Sequence, residues 1–327
     1  MGMTELATAA VQPAIKLIDA VTGTIGKAYE PRHIRKMADA KAYEIKKIGD
    51  ELRNNADLPI VYDASGEFSI DTSDYEALAK RAGRRMAYQE IVKQENIEKI
   101  VGAAYESLQD VHEVVDGEVS REWMQRFIDA AGDISTAELQ KIWSKVLAGE
   151  VLEPSSFSLR TLECLRNIDV HEANLFEQLC KVVISNSFVI NDGEFLRKHG
   201  VPYDYILRLD ESGLLNSSGT IYFHKEISTN PELVLDFGEY ILMAKSEENR
   251  RFSLGEFPLT AAGRELSVIV DHKMNLDSIK EMCQLVAKSN SKISFSLHEV
   301  NYRGEGGINY ENAPIVFSDT PDTKKAV

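Results

Sequence analysis

A chain of 327 residues with 43% hydrophobic, 27% charged and 8% aromatic residues has the makeup of a globular protein of more than one domain, not of a fibrous or wholly disordered one. Its 37 Lys+Arg against 52 Asp+Glu leave a formal charge of −15, which argues against a protein that coats nucleic acid, because a phosphate-neutralising surface needs dense cation. Three cysteines, Cys164, Cys180 and Cys283, none in a C-x-x-C pair, speak against a disulfide framework or zinc knuckle and point to a reducing cytoplasm, with the thiols as small buried residues.

From Leu6 to Ile25 the chain is rich in Ala, Val, Ile and Leu, but Pro13, Lys16 and Asp19 interrupt it, so no uncharged run reaches the ~18 residues of a spanning helix. It reads as an amphipathic helix with Val11, Ala14, Ile15, Ile18, Val21 and Ile25 on one face. Packing on a neighbouring helix is preferred over lying on a membrane through residues 5–28, since its polar positions are not especially basic. Residues 30–56 carry Ile34, Ala38, Lys41, Ile45, Ile48 and Leu52 in the alternating spacing of a coiled-coil seam. A polar connector follows, with a short hairpin expected at Ile60 to Tyr62 and Phe68 to Ile70. Ser73 and Glu76 form an S-x-x-E start signal for a second long helix running to about Val111. Together the two helices predict an antiparallel hairpin over residues 1–118.

Residues 119–190 read as a compact helical domain. Trp123, Phe127, Ile128 and Ala131 mark one helix, and Ser135 with Glu138 opens another that carries Ile142, Trp143, Val146 and Leu147 and ends at Gly149. Helices with Leu159, Leu162, Leu165 and Ile168, and with Leu175, Phe176, Leu179 and Val183, complete it. Over residues 191–302 two helices around a turn at Gly200 precede strand-like segments at 220–227, 233–237 and 240–244, the order of a winged helix. Helices at 259–270 and 276–288 and a closing strand at 292–302 follow. From Arg303 onward Gly and Pro without periodicity predict a flexible tail, 303–327. The fold class expected is mainly α, α+β overall.

Chemistry-bearing patterns fail on their spacing. Gly23-Thr-Ile-Gly26-Lys27 lacks the five-residue glycine separation and the Ser or Thr of a phosphate loop. The seven histidines include no i, i+4 pair, the acidic connector Asp63 to Asp71 lacks a closing Glu for calcium, and Glu44-Ile-Lys46 falls within a helical period. No catalytic residue, metal or cofactor is therefore expected, and the chain reads as a non-enzyme. Two local signals remain. Lys80, Arg81, Arg84 and Arg85 place four cations in six residues, with a second cluster at Arg32, Arg35 and Lys36; the first 116 residues nonetheless hold 15 Lys+Arg against 20 Asp+Glu, which favours internal pairing. The candidate recognition helix of the winged-helix segment carries Asp204, Asp210 and Glu211 against Arg208, the wrong sign for a DNA groove, so protein contact is preferred there.

The run from Ile134 through Gln140, Trp143 and Glu150 to Pro154, then Ser158, Arg160 and Leu162, resembles the hallmark of a bacterial domain-of-unknown-function family. Arg84-Arg85 with Gln94, Asn96 and Glu98 upstream, and Leu259 to Leu266 with Gly263 downstream, extend that resemblance. A weaker one, over Trp143 to Glu150, is to abortive-infection alpha-type proteins, which implies a place among phage-defence or mobile-element genes and names no catalytic residue. In physical terms Trp143 is expected to anchor the core, Glu150 to hold Arg160 across the Pro154 turn, and Gln94, Asn96 and Glu98 to bridge helices. Ser155 stands where the family pattern leads one to expect Gly. The function expected is self-assembly or partner binding in the cytoplasm; nucleic-acid binding through the basic helices and membrane contact through the N-terminal helix are the alternatives.

Overall fold

The computed structural model describes residues 12–25, 60–62, 68–70, 73–109, 111, 115–218, 222–228, 233–270, 274–304, 307–311 and 314–317. The expected seam helix of 30–56, the cluster of Arg32, Arg35 and Lys36, and most of the acidic connector lie outside them. The chain is mixed α+β and mostly helical, and it divides into two compact units, residues 1–156 and 157–327. The divide falls inside the helical block read at 119–190.

The first unit holds α1 (Gln12–Ile25), the hairpin β1 (Ile60–Tyr62) and β2 (Phe68–Ile70), α2 (Ser73–Leu108), α3 (Arg121–Ala131) and α4 (Ala137–Leu152). The hairpin pairs antiparallel with Ile60 opposite Ile70. Ala14, Leu17 and Val21 are the buried stripe of α1, whereas Ile15 and Ile18 are 49% and 48% exposed. The expected apolar face is thus rotated: spacings of three and four from Ala14 through Leu17 to Val21 lay one narrow line on the neighbouring helices. At 36 residues, α2 is about 54 Å long. Among its described side chains burial is confined to the C-terminal end, where Ile97, Ile100, Val101, Ala104 and Leu108 enter the core with Trp123, Phe127, Trp143, Leu147 and Val151.

Two end signals read from the sequence are moved by that core. The N-cap of α4 is Thr136, without a side-chain cap bond, in place of the Ser135–Glu138 box. Gly149 does not end α4, which continues to Leu152 because Val151, fully buried, extends its packed face. On α3, by contrast, Ser120 accepts the Trp123 N–H as a regular cap.

The second unit begins with α5 (Leu159–Asn167) and α6 (Val170–Cys180), the latter opened by a reciprocal capping box of Asp169 and Glu172. Strand β3 (Phe188–Ile190), helices α7 (Gly193–Lys198) and α8 (Tyr203–Glu211), and strands β4 (Tyr222–Ile227) and β7 (Arg250–Pro258) form the winged-helix-like module, with sheet order β3-β7-β4. Gly200 turns the chain between its helices at φ +80°, a conformation open to glycine at little cost. Between β4 and β7 the chain inserts β5 (Leu233–Asp236) and β6 (Tyr240–Lys245), so the true partner of β4 is β7, a strand the sequence pattern did not reveal. Glu256 at a buried position, Gly255 and the terminal Pro258 disguise its alternation.

Helices α9 (Ala261–Ser267) and α10 (Leu276–Ser289) precede β8 (Ser294–Gly304), β9 (Gly307–Tyr310) and β10 (Ile315–Phe317). The second sheet runs β10-β8-β6-β5, antiparallel throughout, with β9 also on β8. The described residues of the expected tail, Arg303, Gly304, 307–311 and 314–317, are therefore mostly strand, and the rest of 303–327 lies outside the described residues. Pairing with β8 orders residues that have no amphipathic period of their own, and His298, 8% exposed, fastens them with its Nδ1 2.9 Å from the Glu311 carbonyl oxygen and its ring edge-on to Tyr310.

Candidate functional site

Trp143 is completely buried, its ring 5.2 Å from that of Phe127, which stacks in turn on Trp123 at 5.1 Å. These three rings are the centre of the first unit's core. Asn96, 4% exposed on α2, donates from Nδ2 to the Gly132 carbonyl at 2.9 Å and accepts at Oδ1 from Gln140 Nε2 at 3.2 Å. Gln140 also donates to the Ile134 carbonyl at 2.9 Å. Of Gln94, Asn96 and Glu98, Asn96 is the one that ties α2 to the turn between α3 and α4, beside the ion pair of Lys93 with Asp133 at 3.2 Å. Gln94 bonds Glu98 on its own helix at 3.0 Å.

Glu150 is 1% exposed, and its Oε1 accepts the Ser155 N–H at 2.8 Å. Ser155 adopts φ +74°, the left-handed conformation that favours glycine, so the family's expected Gly has a physical basis. The carboxylate holds the Pro154 turn by this bond. Arg160 is exposed on the first turn of α5, in the second unit.

Two parts of the motif that sequence reasoning left separate meet in the second unit. Glu265 of α9 accepts the Ser158 N–H at 2.7 Å and the Thr161 hydroxyl at the start of α5, while Ser158 caps Thr161. Gly263 is required by contact: a Cβ there would lie 2.0 Å from the Leu214 carbonyl oxygen. Thr260 caps α9 by accepting the Gly263 N–H and donates to the Gly213 carbonyl.

A Ser-His-Glu cluster joins α7 to α10. His199 Nε2 lies 3.3 Å from Glu281 Oε2 and Nδ1 lies 3.4 Å from Ser278 Oγ. The Lys198 ammonium, 2.7 Å from Glu281, holds that carboxyl below its usual range, with His199 acting in the same direction and burial opposing both. Ser278 is buried and donates its hydroxyl proton to Asn275 Oδ1, so the cluster is a tie between elements and offers no free nucleophile. The thiols are no better poised. Burial, with Glu172 nearby, pushes Cys164 up to about 11; burial pushes Cys283 up to about 12 and, with Glu177, raises Cys180 further. Among the described residues no group of His, Cys, Asp and Glu has the arrangement of a metal site.

A cleft of about 440 Å³ in the second unit is lined by Ser185, Asn186, Asp236, Phe237, Ser267 and Arg303 among others. Its cation is already committed, because Arg303 makes two bonds to Asp236, at 2.7 and 2.8 Å, and donates to the Gly238 carbonyl.

The other cationic feature is the basic cluster of α2. Lys80, Arg81, Arg84 and Arg85 are all exposed, and among the described residues none forms an ion pair. At about 100° per residue they span an arc of about 140° on α2, opposite Ile97, Ile100, Ala104 and Leu108. Lys80 with Arg84, and Arg81 with Arg85, are like charges four residues apart, an arrangement that costs helix stability unless an anion offsets it. Tyr88, 69% exposed, and Ile91, 45% exposed, lie within the same arc. Sequence reasoning found the four cations but favoured their internal pairing.

No helix among the described residues is long and apolar enough to cross a membrane. Comparison with curated proteins and with solved structures gives no match. Residues 80–192 match a family described as "Protein of unknown function (DUF2806)". This chain thus carries, over residues 80–192, a DUF2806 domain of unknown function, which takes in the cationic arc of α2, the Asn96–Gln140 bridge and the Glu150 turn.

Proposed function

We propose that this protein works by binding a partner and not by catalysis, and that an anionic partner docks on the α2 arc of Lys80, Arg81, Arg84 and Arg85. The carrying observation is that all four cations are exposed and, among the described residues, form no ion pair, on the side of α2 opposite its buried stripe. From Ala77 to Gln94 five cations stand in a segment whose one acid is Glu90, the fifth of them, Lys93, being paired with Asp133 at 3.2 Å, in a chain whose total is −15. The winged-helix-like module supports a protein contact in place of DNA reading: Arg208 of α8 pairs with Glu172 at 3.9 Å, while Tyr203 and Leu207 are 62% and 42% exposed. The resemblance to abortive-infection alpha-type proteins supports a role in phage defence.

Affinity capture from infected and uninfected cells tests the reading, using wild-type protein and a variant with Lys80, Arg81, Arg84 and Arg85 all changed to Gln. The expected outcome is a partner held by the wild type and lost from the variant. Equal capture by both proteins refutes docking on α2.

A further inference from the structure

Resting on that reading, we infer that the anionic partner of α2 is a single-stranded nucleic acid, held by its phosphates on Lys80, Arg81, Arg84 and Arg85 with an unpaired base stacked on Tyr88. The cations supply a charge row that tracks a backbone, and the Tyr88 ring lies on the same face, one turn beyond Arg84. This combination of flexible cations and a solvent-facing aromatic is what non-sequence-specific binding of single strands requires: charge for the phosphates and a π-face any base can meet.

The aromatic decides between strands. In a duplex both faces of each base are covered by neighbouring pairs, so an exposed tyrosine gains nothing there, whereas an unpaired base can splay onto it. Nothing else in the described chain compensates for duplex binding, since α8, the element placed to read a groove, presents Asp204, Glu211 and an already paired Arg208. A lipid surface is disfavoured by the same geometry. A helix that lies in the interface buries a broad apolar face, but the apolar stripe of α2 from Ile97 to Leu108 is spent inside the protein, leaving Tyr88, Ile91 and the half-buried Val92 as the large apolar side chains within the cationic arc.

Fluorescence anisotropy on the full chain tests this with labelled oligo(dT) and oligo(U) of about 20 nucleotides. A duplex of equal length, polyglutamate and anionic phosphatidylserine vesicles are the competing probes. Both single strands should bind at about 50 mM salt, ahead of the duplex, and affinity should fall steeply with salt. Changing Arg84 and Arg85 together to Gln should flatten the slope of log K against log salt by about 1.4, at about 0.7 per lost phosphate contact. Tyr88→Ala should weaken binding about tenfold with the slope unchanged, and Tyr88→Phe should bind as the wild type does. All these positions are exposed, and circular dichroism checks that each variant remains folded. Absence of oligonucleotide binding, indifference to Tyr88→Ala, or preference for duplex, polyglutamate or vesicles overturns the inference. If capture from cells is still lost in the four-Gln variant, the anionic-partner reading survives such a result; if capture is unaffected, both fall.

Discussion

At the scale of single residues, most polar groups of the motif hold backbone in place. Glu150 is the sharpest case, a carboxylate almost wholly buried whose oxygen meets the N–H of a left-handed Ser155. Glu150→Ala leaves that donor without its acceptor and is expected to destabilise the protein by about 1–3 kcal/mol, read from urea unfolding, with Glu150→Gln costing less because it keeps an acceptor oxygen. The cysteines carry a pH prediction. In the folded protein Cys164 ionises near 11 and Cys283 near 12, against an ordinary value of 9.0 that the unfolded chain recovers. Unfolded thiols therefore lose protons from about pH 9 while native ones do not, so stability is full below pH 9 and falls as pH rises through this window. Melting temperatures between pH 8 and 10.5 should drop less in a variant with Cys164 and Cys283 changed to Ala; an equal drop refutes the assignment.

At the scale of elements, periodicity announced the helices and mispredicted several of their ends. The heptad-like and 3.6-residue spacing around Trp123, Trp143, Leu162 and Leu175 is strong enough to locate α3 to α6, because each helix buries a stripe of its own. End signals are weaker, since a cap is worth about 1 kcal/mol and burying Val151 outweighs a glycine two residues earlier. Strands depend on partners, which a single segment does not name. Residues 303–317 illustrate this: without β8 they have no apolar face, and with it Phe317 becomes buried and Tyr310 packs on His298. Ending the chain at Tyr302 should accordingly lower stability by about 2 kcal/mol or more, measured by the urea midpoint, where removal of a true tail leaves it unchanged.

At the scale of the whole molecule, self-assembly is the remaining expectation, drawn from the seam of 30–56 in the sequence and now from the exposure of Ile15 and Ile18 on α1. Light scattering at rising concentration should give a mass above that of one chain; a strict monomer removes this part. The candidate site was legible in one respect and hidden in another. Four cations within six residues are visible in the sequence, but whether they pair internally depends on which side of α2 faces the core, and the packing of Ile97, Ile100 and Leu108 turned them outward. The meeting of Ser158 and Thr161 with Glu265, more than a hundred residues away, had no local signal at all.

What the sequence by itself determined is the local physics: the α+β class, the acidic balance, the helices with their own apolar period and the turn at Gly200. What only tertiary structure decided is every feature that needs a distant partner: the insertion of β5 and β6 between β4 and β7, the strands beyond Arg303, the ties through Asn96 and Glu265, and the outward face of Lys80, Arg81, Arg84 and Arg85. The reason is that helix hydrogen bonds and amphipathic stripes are set by neighbours within a few residues, whereas sheet pairing, buried polar contacts and the choice of exposed face are set by free energies summed over residues far apart in the chain.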